Sequence, residues 1–368
     1  MYRILFSKIL SIAVVSAFIL VPAAAAQDQN SLRATKAAAG DVMLVWSDAS
    51  PGAFCLRRGE EPGSMTFLDS TNDLFYLDTP PAAPLWFYLV LEQSGGDCMF
   101  TRSTEEVCSR WKRDYPELST DVWDGQMTGC DEGNVDPVAI EDAVRRTNLY
   151  RWLLGLPPIA ENPTYSSKVQ AAVVILRGLG ALTHNPQPGD PCYTADGAEG
   201  AGNSNLSLNG GTLADAVERY IEDFGVPSLG HRRWLFFPPY AEGGFGYVEG
   251  GGIWSGQWVF GWGPDPSPAF VAYPSPGPFP IEGLRGPWSF SVDGGDFSAA
   301  TVEVTRVSDG TPMTVTNVYE AAPNYGLNTL AWVVAGIAAG QEYEVFINEV
   351  NSTPMRSYTY VTHLVSCQ

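Results

Sequence analysis

Apolar residues recur at helical spacing in three segments near the middle of the chain. The first two segments open with Asp136-Pro137 and Asn162-Pro163, which suit a helix cap and the first helical position. A glycine follows each of the three segments, as is common at helix ends. The pattern predicts helices at residues 137–154, 163–179 and 213–224. The first helix is apolar on both sides, which predicts that it is buried between two layers.

Short runs rich in β-branched and aromatic residues, separated by Gly and Pro, lie before and after these helices. They predict strands at 41–46, 54–58, 74–78, 85–91, 245–248, 253–262, 301–307, 312–317, 329–334, 343–350 and 358–365. Residues 187–211 are rich in Gly, Asn, Pro and Asp, so we expect a loop there. The order of elements predicts an α+β fold class, with a central mixed domain flanked by two all-β sandwich domains.

The same pattern divides the chain into six segments. They are a targeting segment at 1–26, a β domain at 37–99, a connector at 100–135, the central domain at 136–264, a Pro-rich linker at 265–285 and a C-terminal β-sandwich domain at 286–368. The connector contains Cys108 and Cys130, and either a short helix near 104–112 or an irregular loop fits its sequence. In the first β domain, Leu44-Val45-Trp46 and Phe87-Tyr88-Leu89-Val90 resemble strands of a fibronectin type III-like module.

The N-terminal segment has the features of a secretory signal peptide. Arg3 and Lys8 precede an apolar run at 9–21, and Ala24-Ala25-Ala26 then offers a small-residue cleavage site. We therefore expect the protein to be secreted and extracellular. Because no second run approaches ~20 apolar residues, we expect no transmembrane segment in the mature chain.

Charge and cysteine content narrow the partners and the compartment. The net charge of −20 at pH 7 makes nucleic acid an unfavourable partner, since an acidic surface repels phosphates. Six cysteines in an exported chain predict disulfide bonds, and about 15 connectivities are open to them. Proximity and domain grouping favour the pairs Cys55–Cys98, Cys108–Cys130 and Cys192–Cys367.

Two motifs and two histidines give the central domain a recognisable order. Thr147-Asn148-Leu149-Tyr150-Arg151 is followed by Gly155-Leu156-Pro157-Pro158, a helix then leads to His184, and Gly230-His231-Arg232-Arg233 precedes two strands. In this order the residues resemble a bacterial-type member of the CAP superfamily, which comprises cysteine-rich secretory proteins, antigen-five allergens and pathogenesis-related proteins. The resemblance implies an α-β-α sandwich around a cavity lined by two histidines and two acidic residues, which in some members holds a divalent metal.

Carried over to this chain, the resemblance makes His184 and His231 the cavity histidines and the candidate metal ligands. The first acidic position of the family falls on Ser204, which departs from the pattern, beside Asn205, which keeps it. The loss of this acid weakens the case for a complete metal site. Both histidines could instead be structural residues that form hydrogen bonds in a polar cavity, and the sequence leaves the two interpretations open.

The second acidic position of the family lies on the helix before His231. Glu218 and Glu222 point away from the apolar face of this helix, whereas Asp223 lies at the edge of that face, so Asp223 is the preferred candidate. Together with the two histidines, Asp223 could bind Zn with an open position, as in hydrolytic zinc sites. A triad of Ser204, His231 and Asp223 is disfavoured because the chain has no Gly-x-Ser-x-Gly elbow.

The residues around His231 suggest further contacts. On so acidic a chain we expect Arg232 and Arg233 to pair with carboxylates. Four aromatic side chains either line an apolar groove for lipid or pack beneath the sheet: Trp234, Phe236, Phe237 and Tyr240.

These observations lead to two functional hypotheses. The first is a secreted CAP-domain protein that binds lipid, extracellular protein or polysaccharide through its cavity or an adjacent groove. The alternative is a metal-assisted hydrolase of peptides or esters that uses His184, His231 and Asp223. The sequence leaves open whether the protein is an enzyme, because a fold does not determine an activity.

Overall fold

The protein is described from a computed structural model, which covers residues 102–119, 122–266, 268–350 and 356–368 and, before residue 102, seven strands. The chain forms two compact units, Met1–Thr101 and Arg102–Gln368. No helix among the described residues has both the length and the apolar character needed to cross a membrane.

The first unit consists of antiparallel strands. They are β1 (Leu10–Ala13), β2 (Leu32–Lys36), β3 (Val42–Trp46), β4 (Ala53–Gly59), β5 (Thr66–Thr71), β6 (Phe75–Asp78) and β7 (Leu85–Gln93), arranged in the orders β1-β7-β4-β5 and β2-β3-β6. The four predicted strands of this region are confirmed, while β2 precedes the predicted start of the domain. The predicted signal peptide lies outside the described residues except for β1, and the predicted Cys55–Cys98 pair lies outside them because Cys98 does.

The second unit begins with helices around a four-stranded sheet. The helices are α1 (Thr104–Asp114), α2 (Pro137–Leu153), α3 (Pro163–Leu179), α4 (Ala195–Gly202), α5 (Leu213–Glu222) and α6 (Gly230–Leu235). The strands are β8 (Ala160–Glu161), β9 (Ser204–Leu208), β10 (Tyr240–Glu249) and β11 (Ile253–Trp262), in the order β8-β10-β11-β9. The three predicted helices are confirmed, with side-chain caps from Asp136, Asn162 and Thr212. The two predicted strands, now β10 and β11, are confirmed as well.

Helices cover both faces of this sheet. On one face, α3 packs against β10 and β11, and a Cβ at Gly246 would lie 2.7 Å from the backbone of Val169. The glycine therefore allows the close approach of helix and sheet. On the other face, Gln257 Nε2 of β11 lies 3.1 Å from Thr147 Oγ1 of α2, and Tyr220 of α5 donates to the carbonyl of Ser255.

The expected loop at 187–211 is wrong in its second half, which forms α4 and β9. Three glycines in α4 suggested a loop, but at two of them the packing on α3 leaves no room for a side chain. A Cβ at Gly200 would collide with the carbonyl of Lys168, and one at Gly197 would lie 2.6 Å from Ile175 Cδ1. The composition reflects close contact between two helices rather than a flexible segment.

The connector contains α1, so the helical alternative is confirmed there. The disulfides differ from the predicted pairs: Cys108 of α1 bonds Cys367, and Cys130 bonds Cys192. The pairs Cys108–Cys130 and Cys192–Cys367 are therefore wrong. Proximity in sequence misled the prediction because the chain returns to α1 at its far end, where Glu282 accepts a hydrogen bond from the Cys367 backbone.

The remainder of the second unit forms two sheets. The strands are β12 (Val271–Tyr273), β13 (Gly277–Pro280), β14 (Trp288–Val292), β15 (Thr301–Arg306), β16 (Thr311–Pro312), β17 (Thr314–Glu320), β18 (Asn328–Ala335), β19 (Gln341–Val350) and β20 (Arg356–Val365). Their orders are β12-β14-β18-β17 and β13-β20-β19-β15-β16. Four of the five predicted strands are confirmed, whereas the predicted strand at 312–317 is divided between the end of β16 and the start of β17, which belong to different sheets. The expected linker at 265–285 contains β12 and β13, whose prolines Pro278 and Pro280 are compatible with a strand at a sheet edge.

Candidate functional site

Asp223 joins the end of α5 to the start of α6. It adopts the left-handed conformation, with φ of 52°, and its side chain is fully buried. Its Oδ1 lies 2.7 Å from Nδ1 of His231, while Oδ2 accepts hydrogen bonds from the backbone of His231 at 3.0 Å and Arg232 at 3.3 Å. The carboxylate therefore caps the first turn of α6 and orients the imidazole.

This contact determines which ring nitrogen of His231 remains available. A carboxylate only accepts hydrogen bonds, so Nδ1 carries the hydrogen and Nε2 of the neutral ring is the acceptor. The side chain of His231 is 28% exposed, and the ring of Tyr220 packs beside it with centroids 5.6 Å apart. His231 is thus an oriented imidazole whose side chain is partly exposed to solvent.

Asn205 belongs to the same group, whereas Ser204 does not. The amide of Asn205 donates to the carbonyl of His231 at 3.0 Å, and Tyr220 donates to the carbonyl of Asn205. Adjacent residues of a strand point to opposite faces, so Ser204 lies on the face of Leu206, which packs with α3. Its buried hydroxyl has no hydrogen-bond partner among the described residues. Ser204 therefore lies away from His231, and the triad that the sequence disfavours is not formed.

His184 lies apart from this group in its hydrogen bonding. It is exposed, and its Nδ1 lies 2.8 Å from the carbonyl of Ala201 in α4. Within the described part of the chain, no hydrogen bond or ion pair links it to His231 or Asp223. No group of three His, Cys, Asp or Glu side chains there is placed to hold a metal ion. Because the described residues bring together one imidazole and one carboxylate, fewer than the three protein ligands of a zinc site, this donor set does not fit zinc, and we derive no zinc-dependent step.

Comparison with known proteins agrees with the order of these elements. Residues 144–261 match the family model of the cysteine-rich secretory protein family, CAP. The second unit contains a CAP domain. The resemblance seen in the sequence of the central domain is thereby confirmed. CAP domains are typical of extracellular proteins, which agrees with the two disulfides and supports an extracellular role.

One solved structure provides a distant comparison. It is the 1.5 Å crystal structure of an extracellular protein containing a SCP domain from Bacillus anthracis str. Ames, with 10% sequence identity and a TM-score of 0.27. The match covers 62% of this chain and 66% of that chain, so this chain spans slightly less than two thirds of its length. A search of the curated proteins found no significant match.

Arg232 and Arg233 connect the CAP domain to the C-terminal strands. Arg232 donates to the backbone carbonyls of Ile221, Arg285 and Pro287, and Arg233 to those of Ser228, Ala322 and Leu327. The expected pairing with carboxylates is therefore wrong, since the partners are backbone carbonyls and the hydroxyl of Ser289. Burial lowers the pKa of both guanidinium groups, that of Arg233 to about 10. α6 thus carries His231 and, through Arg232 and Arg233, also contacts the C-terminal region.

Arg151 has a similar role that sequence reasoning missed. Its guanidinium is buried and donates to the carbonyls of Pro157, Leu235, Phe237, Pro238 and Tyr240. Burial lowers the pKa of Arg151 to about 10. The residue therefore shapes the turn after α6. Its position in the first CAP motif was the available signal, but these carbonyl partners cannot be read from sequence.

Proposed function

We propose that this is an extracellular binding protein whose CAP domain presents the open edge of His231 to a ligand. The observation that carries the proposal is the double contact of Asp223, which fixes both the ring and the backbone of His231. A fixed donor or acceptor loses little conformational freedom on binding, so it can select a ligand by geometry. Three finer features are part of this proposal: a secretory signal peptide, an α-β-α sandwich for the CAP domain, and flanking β-sandwich modules.

The chemistry of the site limits the ligand. A neutral His231 ring accepts a hydrogen bond at Nε2, which suits a hydroxyl or an amide of a lipid head group, a sugar or a peptide. A protonated ring donates there instead and suits a carboxylate. The amide of Asn205 is already used by the backbone of His231, so it positions the loop and leaves the contact with ligand to the imidazole.

The test follows the imidazole directly. We would label histidine with ¹⁵N in the chain from Gln27 to Gln368 and add a fatty acid, a sterol, neutral oligosaccharides and short peptides in turn. We expect one of these to shift the His231 Nε2 resonance, and His231→Gln to weaken that binding about tenfold, the value of one hydrogen bond. His363→Gln, on β20, is the matched control and should leave binding unchanged. Ligand binding that leaves the His231 signal and the His231→Gln affinity unchanged would reject the proposal.

The paired Asp223 and His231 also favour a second candidate, a hydrolase. A histidine whose Nδ1 donates to a buried carboxylate is arranged as a general base, with Nε2 free to take a proton from water. In this candidate the water attacks an ester or peptide carbonyl, and Asp223 stabilises the imidazolium that forms.

The hydrolase is tested with a panel of chromogenic esters and peptides. We expect His231→Gln to lower any cleavage by about 10²–10⁴-fold, and Asp223→Asn to lower it by a comparable factor. Cleavage that survives in His231→Gln excludes this residue as the base. Comparing the rates with and without a chelator separates the metal-free route from the metal-assisted alternative.

A further inference from the structure

Five aromatic side chains cluster on the surface of the second unit, and none of them is among the hydrogen-bond or ring contacts of His231. They come from α6 and the turn after it, from the end of β11 and from the segment between β17 and β18. We refer to them as the aromatic platform, which comprises Trp234, Phe237, Phe260, Trp262 and Tyr325.

The rings of the platform contact one another closely. The centroid of Trp234 lies 4.7 Å from that of Phe260, 5.7 Å from that of Phe237 and 6.5 Å from that of Tyr325. Trp262 lies 5.3 Å from Phe237, and its plane is 24° from that of Trp234 at 6.3 Å. Trp234 is therefore the centre of a continuous aromatic surface, with Trp262 nearly parallel to it.

A bulge in β11 places two of these rings. The pairing of β10 with β11 shifts between Glu242 and Gly244. Over this interval β11 has one residue more than β10, which forms a bulge in β11. Before the bulge, Gly256 and Trp258 face α3; beyond it, the odd-numbered Gly261 faces α3 instead. A Cβ at Gly261 would lie 2.9 Å from Tyr165 of α3, so Gly261 faces α3 and its neighbours Phe260 and Trp262 face α6. Without the bulge, both rings would lie on the α3 side of the sheet.

The segment that carries Tyr325 is held in place. Arg233 donates to the carbonyls of Ala322 and Leu327, on either side of Tyr325, and its guanidinium carbon lies 5.9 Å from the Tyr325 ring. A Cβ at Gly326 would lie 3.3 Å from Phe237, and one at Gly230 would lie 2.7 Å from Tyr325. The two glycines allow the segment to pack against α6. The platform is therefore formed before any ligand arrives.

The platform is unusually exposed for aromatic residues in contact. Trp262 is 56% exposed and Tyr325 is 39% exposed, while the other three rings are half-buried. Within the described part of the protein, the indole N–H groups of Trp234 and Trp262 and the hydroxyl of Tyr325 have no hydrogen-bond partner. The surface thus combines flat apolar faces with three polar atoms that are available to a ligand. Exposed patches of this kind mark interaction sites.

We propose that the aromatic platform binds a neutral polysaccharide or oligosaccharide. One face of a sugar ring presents C–H groups that pack on aromatic faces, while its hydroxyls pair with the free N–H and O–H groups. A lipid tail would leave those polar groups unpaired. The five side chains carry no charge at neutral pH, and the net charge of −20 disfavours an anionic polymer.

This site also bears on the four aromatic residues that the sequence assigns either to a lipid groove or to packing beneath the sheet. Of the four residues that sequence grouped there, Phe236 and Tyr240 are buried at 6% and 1% exposure and pack inside the protein. Trp234 and Phe237 remain at the surface and join residues that the sequence placed elsewhere. The platform therefore stands independently of the His231 site, and its test can fail or succeed on its own.

The experiment measures binding of cellohexaose and chitohexaose to the full chain by tryptophan fluorescence and calorimetry. Polygalacturonate and phosphatidylcholine vesicles serve as the anionic and lipid alternatives. We expect saturable binding of a neutral hexasaccharide, weakened about tenfold by Trp262→Ala, since an aromatic contact contributes on this scale. Tyr325→Ala should also weaken binding. Because Tyr325 lies on a surface segment away from β11, this variant tests the platform even if Trp262→Ala fails to fold.

Two matched controls separate the platform from other surfaces. Phe224→Ala removes an aromatic ring that is 89% exposed and lies outside the platform, and Leu118→Ala removes an apolar side chain that is 68% exposed and also lies outside it. Both should bind the hexasaccharides as the wild type does. The proposal is overturned if neither hexasaccharide binds, if Trp262→Ala and Tyr325→Ala bind as tightly as wild type, or if vesicles or polygalacturonate bind in place of the neutral sugars.

Discussion

The guanidinium of Arg232 lies over the ring of Tyr273, with its carbon 4.6 Å from the ring centroid. Arg232 belongs to α6 and Tyr273 to β12, so the contact joins the CAP domain to the C-terminal sheets. Burial raises the pKa of Tyr273 to about 12, which keeps its hydroxyl protonated as a donor to the carbonyl of Gly283. The residue next to His231 is thereby held by a second region of the protein.

Removing Arg232 should strongly destabilise the second unit. In Arg232→Ala the carbonyls of Ile221, Arg285 and Pro287 lose their donor in a buried place, so we expect a loss of about 3–5 kcal/mol in the free energy of unfolding. Arg232→Lys keeps the charge but can donate to fewer acceptors, so its free energy of unfolding should lie between those of the wild type and Arg232→Ala. Urea unfolding gives both values, with the exposed Arg219→Ala as control. A loss below about 1 kcal/mol in Arg232→Ala would contradict the inferred role.

Two glycines of α4 should respond in opposite directions to the same change. At Gly200 a Cβ would collide with the Lys168 carbonyl, so Gly200→Ala should cost about 1–3 kcal/mol or more. At Gly202 the nearest atom would be the His184 carbonyl at 3.5 Å, an ordinary contact, so Gly202→Ala should be neutral or stabilise the helix by about 0.5 kcal/mol. Thermal unfolding of the two variants measures this difference. Equal effects would show that helix packing does not explain the glycines.

Asp142 should make the stability of the second unit depend on pH. Burial alone would raise the pKa of this carboxyl, but the backbone N–H groups of Ser119 and Leu118 and the side chain of Arg145 lower it, and its pKa lies below the usual value. A lowered folded-state pKa means that this contribution is fully present above the unfolded-state pKa of about 4 and is lost as the pH falls further.

The measurement compares wild type with Asp142→Asn in urea at several pH values. We expect a constant difference in unfolding free energy above about pH 5, and a shrinking one as the pH falls through about 4, because only the wild type gains a proton at this position on unfolding. Exposed Glu141→Gln serves as the neighbouring control. A difference that stays constant down to about pH 3 would show that Asp142 does not carry the effect.

Asp223 should be tolerant of Asn and intolerant of Ala. Ala removes the acceptor of two backbone N–H groups at the start of α6 and is disfavoured at a φ of 52°, so we expect a loss of about 2–4 kcal/mol. Asn keeps an acceptor and tolerates the left-handed conformation, so we expect Asp223→Asn to lose only about 1 kcal/mol in the free energy of unfolding. Unfolding in urea measures both, and ¹⁵N spectra of His231 report whether its ring loses its fixed orientation. Equal losses in the two variants would show that Asp223 does not act through its cap.

The parts of the fold that follow local rules were predictable from sequence. α2, α3 and α5 carry their own caps at Asp136, Asn162 and Thr212, within a few residues of the apolar pattern. α6 has no such signal, since Leu229 at its start is in the left-handed conformation without a side-chain cap. Its cap is Asp223, from the preceding helix. An element held by a distant residue leaves no mark in its own sequence.

The candidate site was predictable only in part for the same reason. Helical geometry favours Asp223 over Glu218 and Glu222, and Asp223 is the carboxylate that contacts His231. The family resemblance puts Ser204 beside Asn205 in the cavity, and because residues 187–211 show no strand pattern, the alternation of faces that separates the two residues cannot be applied from sequence. The partners of Arg232 and Arg233 in the C-terminal region lie 53 to 94 residues away, and all but the Ser289 hydroxyl are backbone atoms, which no sequence pattern encodes.

The bond between Cys108 and Cys367, which are 259 residues apart, closes most of the second unit into a covalent ring. A protease that cuts one exposed loop of this ring would therefore open it without releasing a fragment. The Cys130–Cys192 bond divides the ring, so a second cut between those two cysteines, after a first cut elsewhere in the ring, would still leave all three pieces attached. Such a molecule is expected to survive nicking as one piece until its disulfides are reduced.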